Sequence, residues 1–208
     1  MSAPPDPGAR DRPPSPDAGR EPAIPEMAEA VFAAIPEIME DMRARPGRET
    51  SLAFLDKLVD SPTPEEAVTF CAYLLPPRVS VGWGYRCLAP QTWTLTETDR
   101  SLLQLVEDWL REPSEEARFD VLEMASAIRP RSPAVWLGLG AGWSGGSISA
   151  PDLPPVPAPA FAAPRAVNAS ILSLLARAAA KDREAALRQF VGLGRRIAAE
   201  WPAPGPHR

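Results

Sequence analysis

The stretch TETDRSLLQLVEDWLREPSEEARFDVLEMASAIRPRSPAVWLGLGAGW, residues 96–143, carries three helix starts in succession. Thr96 and Asp99 bracket the first start, placing side-chain oxygens where a first turn leaves backbone amides unpaired. Leu102, Val106, Trp109 and Leu110 then fall on one helical face, and Pro113 ends the segment. Ser114 opens a second helix with Phe119, Leu122, Ala125 and Ile128 on its apolar face. Ser132-Pro133 repeats the cap-plus-proline start for a third.

The same punctuation extends outward in both directions. Toward the N-terminus, Thr63, Pro64 and Glu66 form a capping-box pattern ahead of Val68, Cys71, Ala72 and Leu75. A short helix runs through Leu52, Leu55 and Val59, and an earlier one is interrupted at Pro36. The stretch RVSVGWGYRCLA (78–89) has β-branched residues and two glycines that would suit a strand, but its helical neighbours favour helix. Toward the C-terminus, Val167, Ile171, Leu174, Leu175 and Ala178 make one stripe. Leu187, Phe190, Val191, Gly194 and Ile197 make another. Gly192 and Gly194 cost helix stability, which close approach of a neighbour would offset. No stretch joins strand alternation to a hairpin turn. The expectation is an all-α, multi-helix bundle of stacked antiparallel helix pairs.

Composition divides the chain. Of 27 prolines, eight lie in the first 25 positions and six between Gly145 and Pro164. The first segment has no large apolar residue between Met1 and Ile24 and cannot offset the entropy of ordering, so residues 1–25 are expected to be a disordered tail. Residues 26–144 form the main helical domain, 145–164 a Gly/Pro-rich strap, 165–200 a C-terminal helical pair packed on that domain, and 201–208 a tail. Residues 26–164 hold 11 Lys/Arg against 20 Asp/Glu, whereas residues 165–200 hold seven against three. The basic end is either an arm for an anionic partner or a surface that docks on the acidic body. Its apolar stripes favour docking. No signal peptide or membrane span is read, which places the protein in the cytoplasm without membrane insertion. Cys71 and Cys87 suit that compartment as reduced core residues.

Much chemistry is missing. The only histidine is His207, so a Ser-His-Asp, Cys-His or histidine–metal site has no base or ligand. No catalytic, metal-binding or cofactor-binding residue is assigned, and no cofactor is expected. The carboxylates of Glu65-Glu66, Glu115-Glu116, Glu97 and Asp99 sit in first helical turns, where the helix dipole favours negative charge. Glu37, Glu40 and Asp41 could share one helix face, as could Glu107 and Asp108. They keep open an alternative class, an enzyme with a carboxylate acid/base site in a groove between helices. GLGAGWSGG (138–146) lies at a helix end and runs into prolines, so it is not a phosphate-cradling loop. The acidic body and the lack of aromatic-interleaved basic runs exclude nucleic acid.

The stretch WSGGSISAPDLPPVPAP, residues 143–159, interrupts this helical pattern. Gly145 and Gly146 release a helix end, and Pro151, Pro154, Pro155, Pro157 and Pro159 stiffen an extended path to the next helix. As a strap it would cross the bundle surface with Ile148, Leu153 and Val156 as apolar pegs. As a ligand it would offer the Pro154–Pro157 P-x-x-P spacing to an aromatic groove. Trp109 and Trp136 lie on helical stripes and are read as core. Trp143 stands at the mouth of the strap, and Trp93 in a loop is the best candidate for an exposed aromatic. Trp93, Trp143, Pro154, Pro155 and Pro157 are therefore the candidate partner-binding residues.

With its Trp-Ser-Gly-Gly-Ser turn and proline-rich run, the segment Pro113–Pro159 resembles an uncharacterised bacterial domain family. Some members of that family are encoded beside type VI secretion genes. The resemblance spans roughly residues 50–200 and carries over no catalytic residue. It implies an accessory, adaptor or chaperone-like role in a secretion apparatus, with protein partners among the secretion machinery. The expected function is a non-catalytic protein-interaction module.

Overall fold

The computed structural model describes residues 22–91, 95–150 and 153–201. Among these residues the regular structure is entirely helical: α1 (Ala28–Ala34), α2 (Ile38–Asp41), α3 (Ser51–Val59), α4 (Glu65–Leu74), α5 (Pro77–Leu88), α6 (Glu97–Arg111), α7 (Glu115–Ala127), α8 (Pro133–Gly142), α9 (Ala162–Arg177) and α10 (Ala180–Glu200). The expected all-α bundle is what forms. Residues 78–89 lie in α5 and its C-cap, so the β-branched residues and glycines of that stretch yield to helical surroundings. No helix among the described residues is long and apolar enough to cross a membrane.

The caps of the central stretch form as read. Thr96 accepts from the Asp99 amide and Asp99 accepts from the Thr96 amide, a reciprocal capping box. Ser114 and Ser132 cap α7 and α8. Asp99 is buried and its second oxygen accepts from the Ser132 hydroxyl. One carboxylate thus joins the N-termini of α6 and α8. At α4 the outcome differs from the capping-box reading. Thr63 makes no side-chain cap, and the Glu66 carboxylate instead accepts from the backbone amides of Arg43 and Ala44, at 2.7 and 3.0 Å.

Some stripes are rotated relative to the sequence reading. In α3 the buried residues are Phe54, Leu55 and Leu58 with Ser51, while Leu52 and Val59 are half-buried. In α7 they are Arg118, Val121, Leu122 and Ala125, with Phe119 and Ile128 half-buried at the edges. An arginine therefore occupies a core position. Of the tryptophans read as core, Trp109 is buried and Trp136 half-buried, with the Arg131 guanidinium 5.2 Å from its ring centre.

Helix α9 is the hub, packing on α8, α4 and α5. It starts at Ala162, inside the segment read as strap, and buries Ala163 and Pro164. Helix α10 lies mainly on α4, α3 and α5. Their arginines meet carboxylates of the N-terminal half: Arg165 with Asp41 and Glu40, Arg188 with Asp60, and Arg195 with Asp56. Basic residues of the C-terminal helices are engaged in docking, while Lys181 and Arg196 have no ion-pair partner among the described residues.

Glycine in α8 is a packing device. A Cβ on Gly138 would lie 2.9 Å from Ala125 Cβ, one on Gly142 would lie 2.6 Å from Leu122 Cβ, and one on Gly140 would lie 3.1 Å from Val167 Cγ2. The glycines let α7 and α9 approach α8 closely. In α10, a Cβ on Gly194 would overlap Cys71 Sγ, whereas Gly192 has nothing within 4 Å. Gly192→Ala is expected to stabilise the protein by up to about 1 kcal/mol through helix propensity. Gly194→Ala is expected to destabilise it by about 1–3 kcal/mol through overpacking, with partial relief by Cys71→Ala. Urea unfolding of the single and double variants checks both. Equal effects at the two glycines, or strict additivity with Cys71→Ala, would refute this assignment.

Candidate functional site

The C-terminus of α8 leaves backbone carbonyls without helical partners. One of them, Gly142 O, accepts from Arg118 Nη1 of α7. Arg118 Nη2 donates to Ser147 O at 2.6 Å, and Nε and Nη2 hold the Glu115 carboxylate at 2.9–3.3 Å. The Arg118 side chain is 4% exposed and that of Glu115 is 69% exposed. The cation is buried because each of its three nitrogens has an acceptor. Gly146 adopts φ +59°, which favours glycine, and a Cβ there would run into the Glu115 carboxylate. The Ser-Gly-Gly-Ser turn is thus shaped by the Glu115–Arg118 pair beneath it.

Beyond the turn the chain folds back on itself instead of stretching across the bundle. Ser147 and Pro157 form an isolated antiparallel bridge, Ile148 N–H donates to Val156 O at 2.8 Å, and Leu153 N–H donates to Ala150 O at 2.9 Å. The returning arm contains Pro154, Pro155 and Pro157, which have no backbone N–H to offer. Serine hydroxyls supply the missing pairing. Ser149 Oγ donates to Pro154 O at 2.7 Å, and Val156 N–H is shared between Ser147 Oγ and Ser149 Oγ at 3.1 Å each. Residues 147–150 and 153–157 thus pair as the serine-laced arms of a hairpin, and the residues read as pegs are exposed, with Ile148 at 36%, Leu153 at 56% and Val156 at 48%. Together with Met39 they are the exposed large hydrophobic residues among those described.

Between the hairpin and α7 lies a cavity of about 400 Å³, lined by Glu115, Glu116, Arg118, Phe119, Asp120, Ser147 and Ser149. Of the residues singled out in the sequence, Pro154, Pro155 and Pro157 are brought together, exposed, on the hairpin. Trp143 is the half-buried C-cap residue of α8 and packs against the core at the hairpin's base. Trp93 lies outside the described residues. Arg118, Ser147 and Ser149 were not singled out. The available signal was Glu115 three residues before Arg118, and two serines flanking Ile148 ahead of the prolines.

Asp41, Glu40, Glu107 and Asp108, kept open as acid/base candidates, have structural partners. Arg165 Nε holds both Asp41 oxygens at 3.0 and 2.7 Å, its Nη2 meets Glu40 at 2.7 Å, and Tyr73 donates its hydroxyl to Asp41. Burial, followed by the hydrogen bond to Asp41, raises the Tyr73 phenol well above its ordinary range. The Arg165 guanidinium is raised chiefly by its hydrogen bonds to Asp41 and then Glu40. Glu107 and Asp108 are paired with Arg111. Cys71 and Cys87 are free and buried. Burial raises both thiols, that of Cys87 to about 12, which keeps them protonated and unreactive at neutral pH. Among the described residues no group of His, Cys, Asp and Glu could hold a metal ion.

No curated protein and no solved structure matches the chain. Residues 54–198 match a family of unknown function, DUF6931, a span that holds the Arg118 clasp, the hairpin and the α9 hub. The chain belongs to that family.

Proposed function

We propose that this protein is a non-catalytic interaction module that presents the hairpin arms, residues 147–150 and 153–157, to a protein partner. The observation that carries this reading is the exposure of Ile148, Leu153 and Val156 on a segment fixed by a buried arginine. Exposed apolar side chains gain nothing from burial in the folded chain, and three of them on one short ordered segment offer a partner apolar area to cover. A hairpin already ordered by Arg118, Ser147 and Ser149 loses little conformational freedom on binding, so more of its contact energy appears as affinity. The role we assign is that of an accessory, adaptor or chaperone-like component of a bacterial secretion apparatus, acting in the cytoplasm. The Trp-Ser-Gly-Gly-Ser turn and its proline-rich sequel support that assignment through their resemblance to proteins encoded beside type VI secretion genes.

The test is site-specific photo-crosslinking in the native host cell, with benzoylphenylalanine at Leu153 or, as a control, at exposed Arg48. A discrete product is expected from Leu153 alone and is expected to vanish when Ile148 and Val156 are changed to serine. Leu153 and Arg48 giving the same pattern would refute the reading.

A further inference from the structure

The cavity beside the hairpin has an electrostatic character that restricts what can enter it. Helix α7 carries four carboxylates against one arginine, and that arginine is consumed by Glu115 and two backbone carbonyls. Glu116 and Asp120 line the cavity, are exposed and have no ion-pair partner among the described residues. Glu123 continues their row at helical spacing. No lysine or arginine occurs between Ser132 and Pro164, so the hairpin arm brings no cation to balance them. Phe119 supplies an aromatic wall, and Ile148, Leu153 and Val156 stand exposed on the adjoining hairpin.

Resting on the interaction reading above, we infer that this groove docks a cationic amphipathic segment of a protein partner, with apolar side chains against Phe119 and the hairpin and lysines or arginines on Glu116 and Asp120. The cavity, about 400 Å³, has room for a few large side chains and not for a folded domain, which fits a helix or extended segment laid along α7. An acidic partner or a phosphate backbone would face unpaired carboxylates across the contact, at a cost of like-charge repulsion and without compensation. Attraction of a cationic segment would also speed encounter and weaken as salt screens beyond a Debye length of about 8 Å.

The experiment uses the full chain and three fluorescent helical peptides: one of leucine and lysine, one with glutamate replacing lysine, and one with serine replacing leucine. Binding is read by anisotropy at low and physiological salt. Two variants are compared with the parent, Glu116→Lys with Asp120→Lys, and Ile148→Ser with Leu153→Ser and Val156→Ser. Every substituted side chain is exposed, and circular dichroism verifies the fold. The leucine–lysine peptide is expected to bind best to the parent and at least about tenfold more weakly to either variant, since each loses one of the two recognition elements. The charge-reversed variant is expected to prefer the glutamate peptide.

Equal binding of the lysine peptide to parent and charge-reversed protein would overturn the inference. So would self-association that the charge reversals abolish while no peptide binds, which would place a second copy in the groove. The Leu153 crosslink separates the two levels. Its loss when Ile148 and Val156 alone are changed to serine, with survival in the lysine variant, leaves the interaction module standing without its cationic partner. Its absence throughout removes both.

Discussion

Replacing Trp83 by alanine is expected to lower the unfolding free energy by about 3–5 kcal/mol, the range for truncating a fully buried large aromatic. Trp83 is 0% exposed on α5, and its indole Nε1 donates to Phe190 O of α10 at 2.9 Å in the interior. The alanine variant opens a cavity between α4, α5 and α10 and leaves that carbonyl without its indole donor, so transfer, packing and desolvation losses act together. Trp83→Phe keeps most of the ring and loses the donor, so its cost is expected to fall between parent and alanine. For a chain of this length each kcal/mol moves Tm by about 2–4 °C, and the alanine variant should melt about 6–20 °C below the parent. A cost under about 1 kcal/mol by denaturant titration would show that Trp83 does not bridge α5 and α10 in solution.

Arg118→Ala is expected to produce the second large effect, a loss of about 2–3 kcal/mol with release of the hairpin. Hydrogen bonds to charged groups contribute about 1.5–3 kcal/mol, and here one guanidinium serves Gly142 O, Ser147 O and Glu115. Glu115→Ala removes only the exposed partner and is expected to cost under about 1 kcal/mol. The asymmetry separates a clasp from an ion pair. Hydrogen exchange supplies a local readout, since the Ile148 and Val156 amides are paired within the hairpin and should lose protection in Arg118→Ala. A protease should then cut near Leu153. Unchanged exchange at both amides would show that the serine hydroxyls hold the hairpin without Arg118.

What could be read from the sequence was what is written locally. Caps such as Thr96–Asp99 and Ser132-Pro133 involve residues a few positions apart, and helix-forming periodicity extends over each segment. The ambiguous stretch around Trp83 resolved as helix because every neighbour was helical. The errors arose where a polar residue does an apolar residue's work or where partners are distant. Arg118 shares the buried face of Val121, Leu122 and Ala125, and periodicity scored on hydrophobicity passes over it. Glu66 looked like half of a local capping box but reaches residues 43 and 44 instead. The proline run suggested an extended path, and it did not show that the chain reverses. Its reversal depends on Ser147 and Ser149 meeting backbone atoms five to nine residues later, a register that composition does not contain. The α8 glycines were recognised as something other than a phosphate loop, yet the helices they admit become visible only in three dimensions.

The central position of α9 has a consequence for synthesis. A nascent chain emerges from the ribosome N-terminus first, and helices α1 to α8 are all made before the helix that packs among α4, α5 and α8. Until residues 162–177 leave the exit tunnel, the faces of α4, α5 and α8 that pack on α9 stay uncovered, Gly84 and Gly140 beside Val167 among them, and the indole of Trp83 waits longer still for a carbonyl in α10. Early helices can form and cap themselves during translation, but the core closes only once α9 and α10 have followed them. A ribosome stalled before Ala162 would display a sticky, protease-sensitive intermediate, so closure of this core waits on the synthesis of α9 and α10.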